Sequence, residues 1–413
     1  MKKYFITLFI LTIVINVYSQ DATTVIIPNV NDTRVITTAV PFLLISPDAR
    51  AGGLGDLGVA TSVDAYAQQW NPAKYTFSES KSGFSASYTP FLSQLVNDIF
   101  LGSLTYYNRS SERSSFSASF RFFGLGDIEL FDGNGQQTGI VSPNELTVDF
   151  AYSLRLGDQF SLGVGARYLR SDLQTDPDTR AAGSFGVDIA GFYQSEEIAY
   201  DNFNGRWRAG FAIQNIGPRI QFDDNSGTQN FIPTTLRLGG GFDFIFDPDN
   251  KLAITAEVTK LLVPTPPILA DEFEFDDING NGVFDEDEDD LGSVIREDFI
   301  LSGRDDDVNF LTGIFQSFGD APGGFSEELE EFTWALSAEY KFRDSFALRA
   351  GYFNESENKG ARKFFTLGAG FRYNIIDIDV SYLFSASAIR SPLENTLRFS
   401  LTFNFGRNTY EEY

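Results

Sequence analysis

Residues 396–405, near the C-terminus, alternate between apolar and polar side chains. The apolar members are Leu397, Phe399, Leu401, Phe403 and Phe405. A period of two places them all on one face of an extended strand. Such a face suits a soluble sandwich, where it meets a second sheet, and an outer-membrane barrel, where it meets lipid. In a barrel this last strand must pair with the first, because lipid offers no partner for free N–H and C=O groups.

The same alternation recurs from residue 82 onward. Fourteen segments show it: 82–89, 99–107, 114–123, 145–156, 160–170, 183–193, 205–215, 234–246, 251–260, 332–342, 346–354, 364–373, 376–385 and 396–405. Their lengths suit tilted strands that cross a bilayer, and an even count suits a closed barrel. The sequence therefore predicts an all-β fold, a 14-stranded antiparallel transmembrane β-barrel over residues 81–405. A soluble all-β repeat protein is the alternative.

The connections between these segments alternate in length. Those after strands 2, 4, 8, 10 and 12 are short, and those after strands 3, 5, 7 and 9 are long. Short periplasmic turns and longer outer loops produce this alternation. The connection after strand 6, residues 194–204, is longer than the pattern requires. We expect both termini, including a tail at 406–413, on the periplasmic side and the long acidic loop 261–331 outside the cell.

The N-terminal 80 residues divide into two parts. Lys2 and Lys3 precede an apolar run to Val17, and Ser19 offers a small residue for cleavage, so residues 1–19 are predicted to be a signal peptide. A transmembrane anchor is the alternative, but the run is short for one. Residues 20–80 are Gly-rich around 48–58 and are predicted to form a hatch or plug segment inside the barrel, where protein or water satisfies irregular backbone.

The composition excludes several classes of function. The chain contains no Cys and no His, which excludes His-based triads, thiol nucleophiles and the usual zinc sites. We therefore expect no enzyme; a membrane-embedded lipid deacylase would have to act without a Ser–His pair. The net charge of -26 argues against nucleic acid as a partner.

The polar faces of the predicted strands carry charges of both signs. These residues are Asp149, Arg155, Arg167, Asp188, Arg208, Arg237, Asp243, Glu257, Glu339, Arg349, Arg372, Asp377, Asp379 and Arg398. Charges enclosed in a lumen need partners, so a network of ion pairs across the barrel is expected. We interpret it as structural; a transport path is the alternative.

The loop after strand 9 contains a twelve-residue calcium-loop pattern. Between Asp271 and Asp307 it has sixteen acidic residues against two arginines. The predicted Ca²⁺ ligands are Asp277, Asn279, Asn281, the Val283 carbonyl, Asp285 and Glu288. Gly282 supplies the sharp turn, and Glu288 would close the coordination sphere with two oxygens. A merely solvated acidic loop is the alternative, and prolines at 264, 266 and 267 exclude an ordinary helix just before residue 268.

Aromatic residues follow the acidic stretch on the same loop. They include Phe310, Phe315, Phe318 and Phe325. They either pack on the loop itself or form an exposed apolar patch that binds a partner.

The N-terminal segment resembles a known family. The sequence AVPFLLISPDARAGGLGDLG at residues 39–58, followed by AQQWNPA at 67–73, is similar to the start of PorV-type outer-membrane proteins of the type IX secretion system. The Asn-Pro-Ala element also resembles the hatch of the wider FadL-like family of long-chain fatty-acid transporters, whose barrels have fourteen strands.

The resemblance implies a non-enzymatic role in the outer membrane. Proteins of this type associate with the giant translocon barrel, receive secreted proteins through their C-terminal signal domains, and pass them to the surface attachment complex with its sortase. The FadL resemblance implies the alternative, a channel for hydrophobic solutes. That alternative needs an apolar path through the lumen, which the charged residues above do not favour.

Overall fold

The computed structural model describes residues 24–29, 34–92, 96, 98–173, 180–222, 229–278, 280–287, 289–387 and 394–407. The chain forms two compact units. One consists of Met1–Asp32 and Ile268–Ser302, and the other of Thr33–Pro267 and Gly303–Tyr413. The second unit is the barrel. The predicted signal peptide, residues 1–19, and most of the predicted tail lie outside the described residues.

Fourteen strands form the barrel wall. In chain order they are β1 (Ser80–Pro90), β2 (Ile99–Arg109), β3 (Ser114–Leu125), β4 (Asn144–Arg155), β5 (Phe160–Asp172), β6 (Ala182–Gln194), β7 (Asn204–Ile216), β8 (Thr235–Ile245), β9 (Asn250–Leu261), β10 (Phe332–Phe342), β11 (Phe346–Asn354), β12 (Lys363–Tyr373), β13 (Ile376–Ser385) and β14 (Leu397–Arg407). Each pairs antiparallel with its neighbours, so the predicted fold and strand count are confirmed.

The wall closes without a free edge. β1 pairs with β14, for example Phe84 with Phe403, and β6 pairs with β7. The two-residue period decides which side chains face outward: in β4, Phe150 is 61% exposed, whereas its neighbour Asp149 is 1% exposed. Closure gives the backbone N–H and C=O groups of every wall strand hydrogen-bond partners on both sides. Lipid cannot supply such partners at an open edge.

The connections alternate in length as the sequence predicts. The turns 343–345 and 374–375 are short, whereas the connection after β3 contains a hairpin of Ile128–Phe131 and Gln137–Val141. The exception after β6 has a local explanation. Its two-residue strand Ile198–Ala199 pairs with the start of β7 and lengthens the sheet there. No helix among the described residues is long and apolar enough to cross a membrane.

Residues 39–78, hereafter the plug, lie inside the barrel. The plug contains the short helices Pro41–Leu44, Ala49–Gly52, Ala67–Gln69 and Pro72–Phe77. Wall glycines allow its backbone to come close. A Cβ on Gly351 would lie 2.2 Å from the Gly55 nitrogen, and one on Gly210 would lie 2.2 Å from the Val59 oxygen.

The path of the plug corrects one expectation. At its start, Val40 and Phe42 pack with Leu101 and Phe123, at strand ends that carry long connections. At its other end, the Arg109 guanidinium donates to the Ser78 carbonyl, next to a short turn. The prediction of a periplasmic N-terminus is therefore wrong for this described segment, which runs from the long-loop end to the short-turn end. An irregular segment that fills a lumen has no strand parity to reveal its direction.

The smaller unit is a three-stranded antiparallel sheet. Ile268–Asp276 is its central strand, and Thr24–Pro28 and Asp290–Ser302 flank it. The sequence predicts a loop for residues 261–331 and assigns Thr24–Pro28 to the plug segment 20–80, whereas Thr24–Pro28 instead pairs with Ile268–Asp276. The pairing of Ile268–Asp276 with Asp290–Ser302 contains several register shifts, which break the simple alternation that would have indicated strands.

Candidate functional site

The plug is fastened to the wall by buried charges. The Arg50 guanidinium donates to both oxygens of Glu339 on β10, at 3.0 and 2.9 Å, and also to Asp64 of the plug. Glu257 on β9 accepts hydrogen bonds from the Gly58 and Val59 N–H groups at 2.8 and 2.9 Å. These bonds tie the irregular plug backbone to two neighbouring wall strands, β9 and β10, so the described interior there is filled rather than open.

The predicted lumenal charges do form ion pairs, but between nearby strands rather than across the barrel. The wall pairs are Arg167 with Asp149 and Asp188, Arg208 with Asp243, Arg237 with Glu257, Arg349 with Glu339 and Asp379, and Arg372 with Asp377. Arg398 pairs with Asp56 of the plug. Arg155 is the exception, since its guanidinium donates to the Asp158 carbonyl and lies over Phe77. The plug occupies the centre, so wall charges cannot reach across it.

The filled lumen leaves a cavity at each end. At the short-turn end a cavity of about 440 Å³ is lined by charged groups, among them Lys341, Arg372 and Asp377. At the end with the long connections a cavity of about 390 Å³ has mainly apolar walls, including Val40, Phe123 and Leu125. The two cavities therefore differ in chemistry, and the plug lies between them.

Two short helices on the connection after β9 carry the predicted partner-binding aromatics. They are Phe310–Gln316, capped by the Asn309 side chain, and Phe325–Glu330. Phe315 and Phe325 are each 78% exposed, and Phe318 is 51% exposed. Phe310 is only partly exposed. Three of the four predicted aromatics thus lie on the surface, and we call the exposed set Leu311, Phe315, Phe318, Phe325 and Leu329 the aromatic patch.

Buried ion pairs hold the second helix in place. The Lys260 ammonium, at the end of β9, donates to Glu331 at 2.5 Å and to Glu328 at 3.2 Å. Lys359, after β11, donates to Glu327 at 2.8 Å and to Glu331 at 3.1 Å. Because these side chains are buried, the helix is fixed on the barrel with its apolar residues turned outward.

The predicted calcium loop is only partly described. The Asp277 carboxylate accepts hydrogen bonds from the Gly280 and Gly282 N–H groups, both at 2.7 Å, and Gly282 has φ +72°. Asn281 Oδ1 accepts from the Val283 N–H at 2.7 Å. Two predicted ligands, Asn279 and Glu288, lie outside the described residues. Within the described part of the chain, no three acidic side chains converge on a metal position, and Ca²⁺ binding at Asp285 and its neighbours stays a prediction.

Sequence patterns did not reveal several residues of these sites. Arg50 and Asp64 lie in the plug, whose irregular backbone has no periodicity to show where a charge points. Lys260 occupies a position of β9 at which the two-residue period otherwise places apolar, lipid-facing side chains. A charge at such a position could have been noticed in the sequence. Its partner Glu331 could not, because a helix that folds over the rim is not visible in strand alternation.

Comparison with known proteins gives one family match. Residues 28–268 match the family described as type IX secretion system protein PorV. No curated protein matches the chain in sequence.

Several solved structures are similar in overall fold. The Pseudomonas putida toluene transporter TodX is 11% identical, over 91% of this chain and 100% of that chain, with a TM-score of 0.46. The Ralstonia pickettii toluene transporter TbuX is 12% identical, over 87% and 98%, with a TM-score of 0.44. A Pseudomonas aeruginosa FadL homologue is 11% identical, over 87% and 99%, with a TM-score of 0.42. At these values the similarity carries no argument about what the chain binds.

The family match covers more than half of the chain and includes the plug and the first nine wall strands. The predicted resemblance is therefore confirmed: the chain is an outer-membrane β-barrel and belongs to the PorV family of type IX secretion system proteins.

Proposed function

We propose that the protein is the component of the type IX secretion system that binds the giant translocon barrel and the C-terminal signal domains of secreted proteins. It then hands these proteins to the surface attachment complex with its sortase. The observation that carries the proposal is the family match over residues 28–268. The matched family is a secretion component, and no enzyme family is indicated.

Two structural features support a binding role. The plug is tied to the wall by buried ion pairs such as Arg50–Glu339, so the lumen is filled where a conduit would have to run. The aromatic patch provides a surface for a protein, because apolar side chains as exposed as Phe315 and Phe325 are costly to leave in water. We propose that this patch contacts a protein partner.

A secretion assay tests the proposal. Deleting the gene should leave proteins with C-terminal signal domains inside the cell or unattached, and wild-type protein should restore their display. A variant with Phe315→Ser and Phe325→Ser should insert in the membrane normally but restore display poorly. Lys81→Ser, at an exposed position of β1 away from the patch, serves as the control. Full display in cells without the protein would contradict the proposed role; full display with the double variant would contradict the role of the patch.

One observation favours a second candidate, a channel for hydrophobic solutes. The cavity of about 390 Å³ at the long-loop end is mainly apolar. The plug fills the lumen next to this cavity, and the cavity at the other end is polar. Both features argue against a continuous apolar path through the barrel. Uptake of long-chain fatty acids by cells with and without the protein separates the candidates, since only a channel predicts a loss of uptake together with normal display.

A further inference from the structure

We propose that the apolar cavity at the long-loop end binds a basic side chain, lysine or arginine, from an extended segment of a protein partner. The carboxylate of Glu145 would receive the cation. This inference deepens the proposed function and rests on it only for the source of the segment, a secreted protein.

The cavity is partly open to solvent and has one firm wall. Its volume is about 390 Å³, and its lining residues are Thr37, Thr38, Ala39, Val40, Pro41, Phe123, Leu125, Glu145, Leu173, Phe222 and Asn230. The Phe42 ring stacks on Phe123 with centroids 5.9 Å apart, which gives one wall a rigid aromatic support. Because Phe42 is fully buried and Phe123 nearly so, this wall cannot easily collapse into the pocket.

Glu145 is the one carboxylate among the described residues that line this pocket. It is 3% exposed and accepts one hydrogen bond, from the Ser171 hydroxyl to Oε1 at 2.7 Å. Within the described residues no lysine or arginine forms an ion pair with it. Other buried carboxylates of the wall, such as Asp149, Glu257 and Glu339, each have an arginine partner. A carboxylate enclosed by apolar groups without a cation is costly, so a cationic ligand would be strongly favoured there.

The chemistry of the pocket selects among possible ligands. A lysine or arginine side chain has an apolar stem that suits the Leu125 and Leu173 walls and a charged end that suits Glu145. The volume also leaves space for an apolar residue beside it. A fatty acid would bring its own carboxylate against Glu145 and is disfavoured. The net charge of -26 attracts cationic segments to the protein before they bind.

The position of the pocket points to a partner outside the cell. Phe123 and Leu125 lie at the end of β3 that leads into a long connection, and Glu145 lies at the start of β4 after that connection. The plug separates this pocket from the periplasmic end of the barrel. A segment that has already crossed the membrane could therefore reach the pocket, whereas a periplasmic one could not.

Calorimetry with two matched peptides tests the inference. The probes are acetyl-Leu-Lys-Leu-amide and the same peptide with norleucine in place of lysine, titrated into the full-length protein in detergent. We expect the lysine peptide to bind at least about tenfold more tightly than the norleucine peptide. Glu145→Gln keeps an acceptor for Ser171 and should remove that preference. Glu129→Gln, an exposed acidic residue on the neighbouring hairpin, is the matched control and should keep it.

A second variant guards against misfolding of the first. Thr37→Trp, just before the plug, would fill the pocket and should abolish binding of both peptides while leaving the barrel folded. Equal binding of the two peptides, no binding of either, or an unchanged preference in Glu145→Gln would overturn the inference. Displacement of the peptide by laurate would show that the pocket binds anionic amphiphiles instead. Saturable binding of dodecylamine without binding of the peptide would show that it binds cationic amphiphiles instead. None of these results would change the outcome of the secretion assay, which tests the proposed function separately.

Discussion

Glu339 shows how single residues hold the lumen together. Its carboxylate lies between the guanidinium of Arg50 in the plug and that of Arg349 on β11, with the nearest bonds at 2.9 and 2.8 Å. All three side chains are nearly inaccessible to solvent. In such surroundings a charge pair gains little over an apolar core, but loss of one partner leaves the other charge uncompensated.

We expect Glu339→Gln to lower the free energy of unfolding by about 1.5–3 kcal/mol, because Arg50 and Arg349 would each lose one charged partner in a buried site and keep only Asp64 and Asp379. Urea unfolding of the protein in lipid vesicles would measure the change. Asp249→Asn, which breaks the exposed pair with Arg343, serves as control and should cost no more than about 1 kcal/mol. Equal costs for the two variants would show that the buried cluster is not a stabilising unit.

Asp320 gives the outer helices a dependence on pH. Burial, together with the carboxylates of Glu328 and Glu331, raises the pKa of Asp320 to about 6, against a hydrogen bond from the Thr265 N–H that lowers it. A carboxyl whose folded-state pKa lies above its unfolded value contributes stability at low pH, and that contribution is lost as the pH rises through about 6.

Asp320→Asn should therefore slow hydrogen exchange in residues 310–330 at pH 7.5, where Asp320 is ionised beside two carboxylates, by several-fold. At pH 5 the difference between the variant and the wild type should be smaller, since Asp320 is then largely protonated in the folded state. Comparing the variant with the wild type at the same pH removes the intrinsic effect of pH on the exchange rate. A difference of the same size at both values would argue against titration of this group.

Among the elements, the acidic hairpin after β9 has the clearest expected ligand. We propose that its turn binds one Ca²⁺ through Asp277, Asn281, the Val283 carbonyl and Asp285, with Asn279 and Glu288 completing the set. The described backbone already has the positive φ at Gly282 that the pattern requires. Mutual repulsion among sixteen acidic residues would be offset by a divalent cation.

Calorimetric titration should show a site with a dissociation constant of about 10⁻⁴–10⁻³ M, as in extracellular calcium modules. Glu288→Gln should weaken it at least about tenfold, because the bidentate ligand loses its charge. Glu286→Gln removes the same charge at a position that is not a ligand and should bind nearly as the wild type. Identical titrations for the three proteins, or no binding in any, would reduce the motif to an acidic turn.

For the whole molecule, the close fit of plug and wall decides whether the barrel conducts. Gly351 on β11 faces the Leu54–Gly55 backbone so closely that a methyl group would overlap it. A methyl group added to Gly240 on β8 would have the Arg208 carbonyl oxygen as its nearest neighbour, at 3.9 Å. These two glycines therefore form a matched pair, one facing the plug and one not.

Gly351→Ala should displace the plug and cost about 1–3 kcal/mol of stability, because the added carbon meets backbone that cannot rotate away. In planar bilayers we expect the wild type to stay closed and Gly351→Ala to show open events. Gly240→Ala should behave as the wild type in both measurements. Open currents from the wild type itself would mean that the plug does not seal the lumen.

The sequence alone determined the wall of this protein. The two-residue alternation gave all fourteen strands, their faces and the closure of β14 on β1, because the contrast between lipid and lumen acts on every wall residue separately. The lengths of the connections determined which end carries the long loops. For Phe315, Phe318 and Phe325 the sequence showed an apolar stretch after an acidic one but left open whether they pack on the loop or lie exposed, and the structure exposes them.

Only the tertiary structure decided what fills the barrel and how the segments outside its wall pair. The direction of the plug, the Arg50–Glu339 bond and the pairing of Thr24–Pro28 with Ile268–Asp276 depend on contacts between segments far apart in sequence. Irregular backbone and shifted registers have no period from which such contacts can be read. Glu145, which has no cationic partner among the described residues, is of the same kind: a sequence shows that a residue faces inward, but only packing shows whether a cation lies beside it.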